Sequence, residues 1–269
     1  MPAIHAFRKK RETMSTNFQI QSSNPKLLEK ATRIAEELAQ QFITDDIVGI
    51  VFLGAIVRGY YDNFADIDIA IFKKAGTEFP IAEKFLKIEG MEVQIWLSDY
   101  ESEISNSWDM ARRWTYSQSK IFFDSQGKTA RLITEKVHLT PDERKWLLMS
   151  GLTLSEWYIN GLTKLWVERG NIISAHHMFA QGINYFFDML FGFNNELVAD
   201  MKWRYYCVEQ LEKLPQNFQE RIKDIMAVRS FTTDELERRK RVFMEMWEEM
   251  KPLIEKEVQM SYDEIIQLV

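Results

Sequence analysis

The chain has 269 residues and a mass of 31.9 kDa, enough for one large core or two modest ones, and we expect two domains. Its net charge of −6 argues against a nucleic-acid partner and against a template-dependent polymerase, because such surfaces depend on Lys and Arg. The single cysteine, Cys207, excludes an internal disulfide. No apolar run reaches the roughly 20 residues that span a bilayer, so we expect a cytoplasmic protein with no membrane partner.

The N-terminal stretch, residues 1–23, is predicted to be a disordered arm. It begins with basic residues but lacks the hydrophobic region of a secretory signal. A first helix is predicted over 24–43, because Asn24 and Pro25 supply a cap and a first-turn proline, and apolar residues then recur at helical spacing.

Strands are predicted in the part of the chain that follows, and their bounds are 47–53, 66–73, 91–97 and 121–124. A turn at Gly54 and a short helix follow the first strand. Segment 74–90 is predicted to contain a short helix that starts at Phe79 and Pro80. Segment 99–119 is also predicted to be helical.

After the last predicted strand, the hydrophobic period changes from about 2 to about 3.6 residues, which indicates a change from strands to helices. Amphipathic runs are predicted at 141–167, 170–192, 202–213, 215–229 and 233–266. The predicted fold class is therefore α+β. A mixed β-sheet domain over 24–137 is followed by an all-α helical bundle over 138–269.

Two carboxylates, Asp66 and Asp68, are the first candidate functional residues. Side chains at i and i+2 of a strand share one face of the sheet. Two like charges so close together are unfavourable unless they are neutralised, and Mg²⁺ prefers a site with one or two carboxylates, waters and phosphate. The alternative is a strand whose polar face simply meets water.

A third acid is expected on a neighbouring strand if this is a metal site. In the run 91–96, apolar and polar residues alternate, with Glu92 and Gln94 on one face. Glu92 is the candidate third acid. The turn at Gly54 lies just upstream of the carboxylate pair, where backbone N–H groups could bind phosphate.

The segment 54–68 reads G-A-x-x-R-G, five further residues and A-D-x-D, and it resembles the signature of the nucleotidyltransferase (polymerase-beta-like) superfamily. The resemblance implies that Gly54, Ala55 and Arg58 belong to a nucleotide-binding turn and short helix. Ala55 departs from the family pattern, which has Ser at this position. For Arg58, a structural role in orienting the acids is the open alternative.

The same resemblance implies the catalytic roles. Asp66 and Asp68 would bind Mg²⁺, and Glu92, as the third acid, would either join them as a metal ligand or act as the general base. The local string E-V-Q-I at 92–95 is most similar to aminoglycoside adenylyltransferases. In that family the general base is an acid at the equivalent position.

The helical part of the chain resembles the substrate-binding domain of these enzymes. Lys202 is then a candidate for contacting the triphosphate, with a solvated lysine as the alternative. Glu156 and Trp157 are candidates for the acceptor site, because an acid among aromatic side chains suits a cationic or sugar-like molecule. Core packing is the alternative for Trp157.

The expected function is Mg²⁺-dependent transfer of a nucleoside monophosphate, AMP from ATP, to a hydroxyl of a small, aminoglycoside-like molecule. A protein AMP-ylating, antitoxin-like enzyme and a degenerate nucleotide-binding module remain as alternatives, the latter because of Ala55. The spacing of Arg169 and His176 also fits a ribonuclease motif with R-x₆-H. The sequence leaves the oligomeric state open.

Overall fold

The fold is described from a computed structural model that covers residues 18–79 and 84–269. The chain forms two compact units, and the division falls between His138 and Leu139. The first unit contains a five-stranded mixed sheet with helices, and the second is helical. The predicted α+β class is confirmed. None of the described helices is long and apolar enough to span a membrane.

The first unit contains both strands and helices. They are α1 (Pro25–Gln41), β1 (Ile47–Leu53), α2 (Ala55–Arg58), β2 (Ile67–Lys73), β3 (Phe85–Ile88), β4 (Met91–Asp99), α3 (Tyr100–Ser105), α4 (Met110–Ser117), β5 (Lys120–Asp124), a 3₁₀ turn (Ser125–Gly127) and α5 (Lys128–Lys136). The predicted helical segment 99–119 is therefore two short helices rather than one.

The sheet has the strand order β3-β4-β2-β1-β5. Strands β2 and β4 run parallel, and the other neighbouring pairs are antiparallel. All seven residues of β1 are buried, which explains its continuous apolar sequence, because both faces of this strand are covered. The core of the unit therefore lies on both sides of the central strands, and β3 is an edge strand.

In segment 74–90 the structure adds a strand that the sequence did not predict. The short helix predicted to start at Phe79 and Pro80 falls on residues 80–83, which lie outside the described part of the chain, and the described residues that follow form β3. Glu89 and Gly90 have positive φ values of 49° and 87° and form the two-residue turn that joins β3 to β4. A four-residue edge strand without an apolar run gives little periodic signal.

The predicted disordered arm also needs correction. Residues 1–17 lie outside the described part of the chain, but residues 18–23 pack on the first unit. Phe18 is buried, and its backbone N–H donates to the Arg58 carbonyl at 2.8 Å. The Ser23 hydroxyl accepts from the backbone N–H of Tyr61 at 3.2 Å.

The second unit is built around the long helix Ile172–Phe193. Its elements are α6 (Pro141–Glu156), a π-helical turn (Trp157–Leu162), α7 (Thr163–Glu168), α8 (Ile172–Phe193), α9 (Arg204–Val208), α10 (Phe218–Met226), α11 (Thr233–Val258) and α12 (Tyr262–Ile266). The predicted run 233–266 is interrupted at Gln259, which has a φ of 57° and ends α11.

Close packing of α6 against α8 depends on two glycines. A Cβ on Gly151 would lie 2.7 Å from the Tyr185 carbonyl, and one on Gly182 would lie 3.0 Å from the Ser155 carbonyl. The start of α6 is set by a capping box, in which the Thr140 hydroxyl and the side chain of Glu143 satisfy each other's backbone N–H groups. The helical unit thus has its own core.

Candidate functional site

The glycine turn and the second carboxylate are in contact. Leu53, the last residue of β1, pairs with Asp68 across the antiparallel ladder. Gly54 follows with a φ of 66° and a ψ of −142°, and a Cβ there would lie 2.3 Å from Asp68 Oδ2. Only glycine fits this position. Ala55 is buried at the first position of α2.

The two carboxylates each receive a hydrogen bond from β4. The Gln94 side-chain amide donates to Asp66 Oδ2 at 2.6 Å, and the Trp96 indole N–H donates to Asp68 Oδ1 at 3.3 Å. Because Gln94 and Trp96 share one face of β4, the two acids lie on one face of the sheet, as the sequence predicts. The donors were not predicted, although the same alternation that singled out Glu92 could have found them.

Glu92 lies at the same edge of the sheet as the carboxylate pair. In the parallel ladder Ile67 pairs with Val93, so Glu92 is in line with Asp66. Its side chain is exposed, while Gln94 occupies the place beside Asp66. Over residues 18–79 and 84–269, no three His, Cys, Asp or Glu side chains are grouped closely enough to hold a metal ion.

The structure therefore does not group Asp66, Asp68 and Glu92 into one metal site. It brings together Asp66 and Asp68 on one face of the sheet. The sequence pattern defines the face on which a strand side chain lies, but not how far that side chain extends into solvent. The pair itself fits Mg²⁺, since one or two carboxylates with waters and phosphate oxygens are a sufficient ligand set.

Tyr61 is a functional candidate that sequence reasoning missed. Its side chain is 2% exposed, and its hydroxyl has no hydrogen-bond partner among the described residues. Burial, followed by the negative charges of Asp66, Asp68 and Glu92, raises the pKa of Tyr61 to about 12. The hydroxyl therefore stays protonated near the acids and remains a hydrogen-bond donor.

Arg58 has a structural setting. It is buried, and its Nε donates to the side-chain oxygen of Gln118 at 3.0 Å. Its guanidinium lies 4.5 Å from the ring centroid of Trp114 and 5.5 Å from that of Phe18. This environment packs Arg58 among aromatic side chains, whereas its contact with a nucleotide and its alternative role in orienting the acids stay predictions.

The other predicted binding residues belong to the helical unit. Lys202 is exposed, and its backbone N–H donates to Asp200 Oδ1 at 3.2 Å. Glu156 Oε1 accepts from the Asn160 amide at 2.6 Å. Trp157 is 50% exposed, so it is not a core residue. Their roles toward a nucleotide or an acceptor stay predictions.

The structure argues against the ribonuclease interpretation. His176 is buried, and its Nδ1 lies 3.0 Å from Nη1 of Arg239. Burial and the charge of Arg239 lower the pKa of His176. Arg169 is exposed and its guanidinium lies 5.0 Å from the Trp166 ring centroid. A buried neutral imidazole that is paired with an arginine is poorly placed to exchange protons with RNA.

A titratable group outside the predicted site is Asp188 on α8. Burial raises the pKa of Asp188 to about 6, although Arg204 opposes this with an Nη1 atom 3.2 Å from Asp188 Oδ1. No sequence signal singled this residue out, because its burial depends on how α9 covers α8. A buried carboxyl with a raised pKa makes stability depend on pH.

No family model matches the chain, and no curated protein matches it significantly. Among solved structures, the chain is similar to a nucleotidyltransferase-like protein from Exiguobacterium sibiricum 255-15, with 11% identity and a TM-score of 0.47. The match covers 85% of this chain and 77% of that one. This level of similarity assigns neither a family nor an activity.

Proposed function

We propose that the protein is a Mg²⁺-dependent nucleotidyltransferase that transfers AMP from ATP to a hydroxyl of a small molecule, in the manner of an adenylyltransferase. One observation carries the proposal. The Asp68 carboxylate lies against the glycine turn that ends β1, with Asp66 on the same face of the sheet. A nucleotide with its phosphates at this turn would have both carboxylates beside them.

In the proposed reaction the acceptor oxygen attacks the α-phosphorus, and pyrophosphate leaves. Asp66 and Asp68 would hold Mg²⁺, which supplies charge neutralisation on the phosphates when bound. Gln94 and Trp96 would keep the two carboxylates oriented through their hydrogen bonds. Glu92, in line with Asp66 and open to solvent, would accept the proton of the acceptor hydroxyl.

Asp68→Asn should abolish nucleotide binding with little loss of fold, because it removes one ligand charge and keeps the side-chain shape. The measurement is thermal unfolding with ATP, GTP, CTP and UTP, each with and without Mg²⁺. We expect a Mg²⁺-dependent rise in Tm in the wild type, since a ligand of the folded state stabilises it by mass action. That rise should disappear in the variant.

Asp45→Asn serves as the control, because Asp45 is an exposed carboxylate of the same unit that lies outside the site. It should keep the full nucleotide-dependent shift. The absence of a shift with all four nucleotides in the wild type would refute the proposal. A shift that persists in Asp68→Asn would refute the assignment of the metal ligands.

The second candidate is a nucleotide-binding module without transfer activity. Ala55 favours it, because a methyl group stands where the family pattern places a hydroxyl. Losing one hydrogen bond to phosphate costs about 0.5–1.5 kcal/mol, and more when the group is charged. This candidate predicts a nucleotide-dependent Tm shift without pyrophosphate release. A protein acceptor would instead be revealed by a mass increase of one AMP on a partner polypeptide.

A further inference from the structure

Two large aromatic side chains are exposed on the sheet face that carries the acids. Trp96 on β4 is 53% exposed and Phe85 on β3 is 67% exposed. Phe85 pairs with Gln94 across the antiparallel ladder, so it shares a face with Gln94 and with Trp96 two residues further on. The pair Phe85 and Trp96 therefore borders the carboxylates; we call it the aromatic pair.

The aromatic pair is continuous with the candidate site. The indole N–H of Trp96 donates to Asp68 Oδ1, which holds one edge of the indole at the carboxylate while a large part of the side chain stays exposed. An exposed tryptophan that is oriented by a hydrogen bond is pre-organised for stacking, because little rotamer freedom remains to be lost on binding.

Strand order separates the two sides of the site. Gly54 follows β1 on one side of the carboxylates, and Phe85 lies on β3 on the other. Glu92 stands on β4, between the carboxylate strand and β3. A nucleotide with its phosphates at Gly54 leaves the β3 side of Glu92 open for the acceptor.

We propose that Trp96 and Phe85 bind the acceptor by stacking against the apolar face of a ring that carries the reacting hydroxyl. This proposal rests on the proposed transferase function and adds a specificity determinant to it. Aromatic side chains stabilise a stacked ring beyond simple area burial, and a cationic substituent adds attraction to the ring face. The aromatic pair should thus select cyclic over open-chain hydroxyl compounds.

The experiment measures dissociation constants by calorimetry and saturation-transfer NMR on the full chain. The first titration uses Mg²⁺ with a non-hydrolysable ATP analogue. The second is made with that analogue bound, and it compares the cyclic probes kanamycin, methyl glucoside and myo-inositol with the open-chain probe sorbitol. The variants are Trp96→Ala, Trp96→Phe and Phe85→Ala. Trp146→Ala is the matched control, because Trp146 is 54% exposed and lies on α6.

We expect at least one cyclic probe to bind more tightly than sorbitol. Its dissociation constant should rise about tenfold in Trp96→Ala and in Phe85→Ala, and stay unchanged in Trp146→Ala. Trp96→Phe also loses the hydrogen bond to Asp68 but keeps an aromatic face, so it should bind the ring more tightly than Trp96→Ala. The difference between these two variants isolates stacking from the orientation of Asp68.

The outcomes separate the two proposals. Failure of the nucleotide analogue to bind the wild type would overturn the proposed function, and the stacking proposal with it. If the analogue binds but no cyclic probe does, or if ring binding survives in Trp96→Ala and Phe85→Ala, only the stacking proposal fails. A loss of nucleotide binding in Phe85→Ala would overturn it too, since the aromatic pair would then serve the nucleotide.

Discussion

At the scale of single residues, the candidate site requires a residue without a side chain at the turn as well as two negative charges beside it. Gly54 has a φ of 66°, and a side chain there would collide with the Asp68 carboxylate. Gly76 has a similar φ of 76°, yet no atom lies within 4 Å of the position of its Cβ. The two glycines thus share a positive φ and differ in the collision, so a comparison of their substitutions tests what the contact with Asp68 contributes.

Gly54→Ala should cost about 1–3 kcal/mol of unfolding free energy and should abolish the Mg²⁺-dependent nucleotide shift, because either the turn or Asp68 must move. Gly76→Ala should cost about 1 kcal/mol, from its positive φ alone, and keep the shift. Chemical denaturation and thermal unfolding with Mg²⁺ and ATP measure both effects. Equal losses in the two variants would show that the contact with Asp68 does not matter.

At the scale of elements, the pairing of strands and helices places side chains that local sequence cannot place. Strand β4 supplies the hydrogen-bond donors for Asp66, which directly precedes β2, and for Asp68 on β2, because the two strands run parallel with Asp68 beside Gln94. In the helical unit, Arg204 at the start of α9 lies against Asp188 on α8. Both arrangements join residues that are distant in sequence.

Asp188 predicts a pH dependence of stability. Its folded-state pKa of about 6 lies above the value for an exposed aspartate, so the folded protein binds more protons than the unfolded chain between about pH 4 and 6. The wild type should therefore lose stability from this group as pH rises through that window. The contribution is at most about 2–3 kcal/mol and is complete above pH 6.

Asp188→Asn should remove this dependence. The free energy of unfolding of the variant relative to the wild type should increase between pH 4 and pH 7.5, as measured by urea denaturation at both values. Asp45→Asn controls for the loss of one exposed negative charge. A difference between variant and wild type that does not change with pH would show that the Arg204 pair offsets burial, and one that decreases as pH rises would show that the pair outweighs burial.

At the scale of the whole molecule, each unit has its own core. Ile50 on β1 is fully buried in the first unit, and Phe186 on α8 is fully buried in the second. Since a buried side chain stabilises the unit that encloses it, the two cores should respond separately to truncation.

Differential scanning calorimetry of the full chain should resolve two transitions. Phe186→Ala should lower one by a cost of about 3–5 kcal/mol, and Ile50→Ala should lower the other by about 2–5 kcal/mol. Added Mg²⁺ and nucleotide should raise the temperature of one transition in the wild type, and this rise should be absent in Asp68→Asn. A single transition that both truncations lower equally would show that the units unfold together.

Much of this protein follows from its sequence. The strands over 47–53 and 91–97, the helix begun by Asn24 and the carboxylate pair on one face were predicted from periods and spacings within single segments. These properties depend on backbone geometry that repeats along the chain. The α+β class follows from the change of period after the last strand.

The tertiary structure alone decided which partners the site residues have. It placed Gln94 and Trp96 on the carboxylates, buried Arg58 against Trp114, and left Glu92 exposed outside a three-acid set. Each of these outcomes depends on register between strands or on packing between elements. The spacing of residues along one strand specifies the face of the sheet on which each side chain lies. Which residue contacts that side chain depends on the pairing of segments that are distant in sequence.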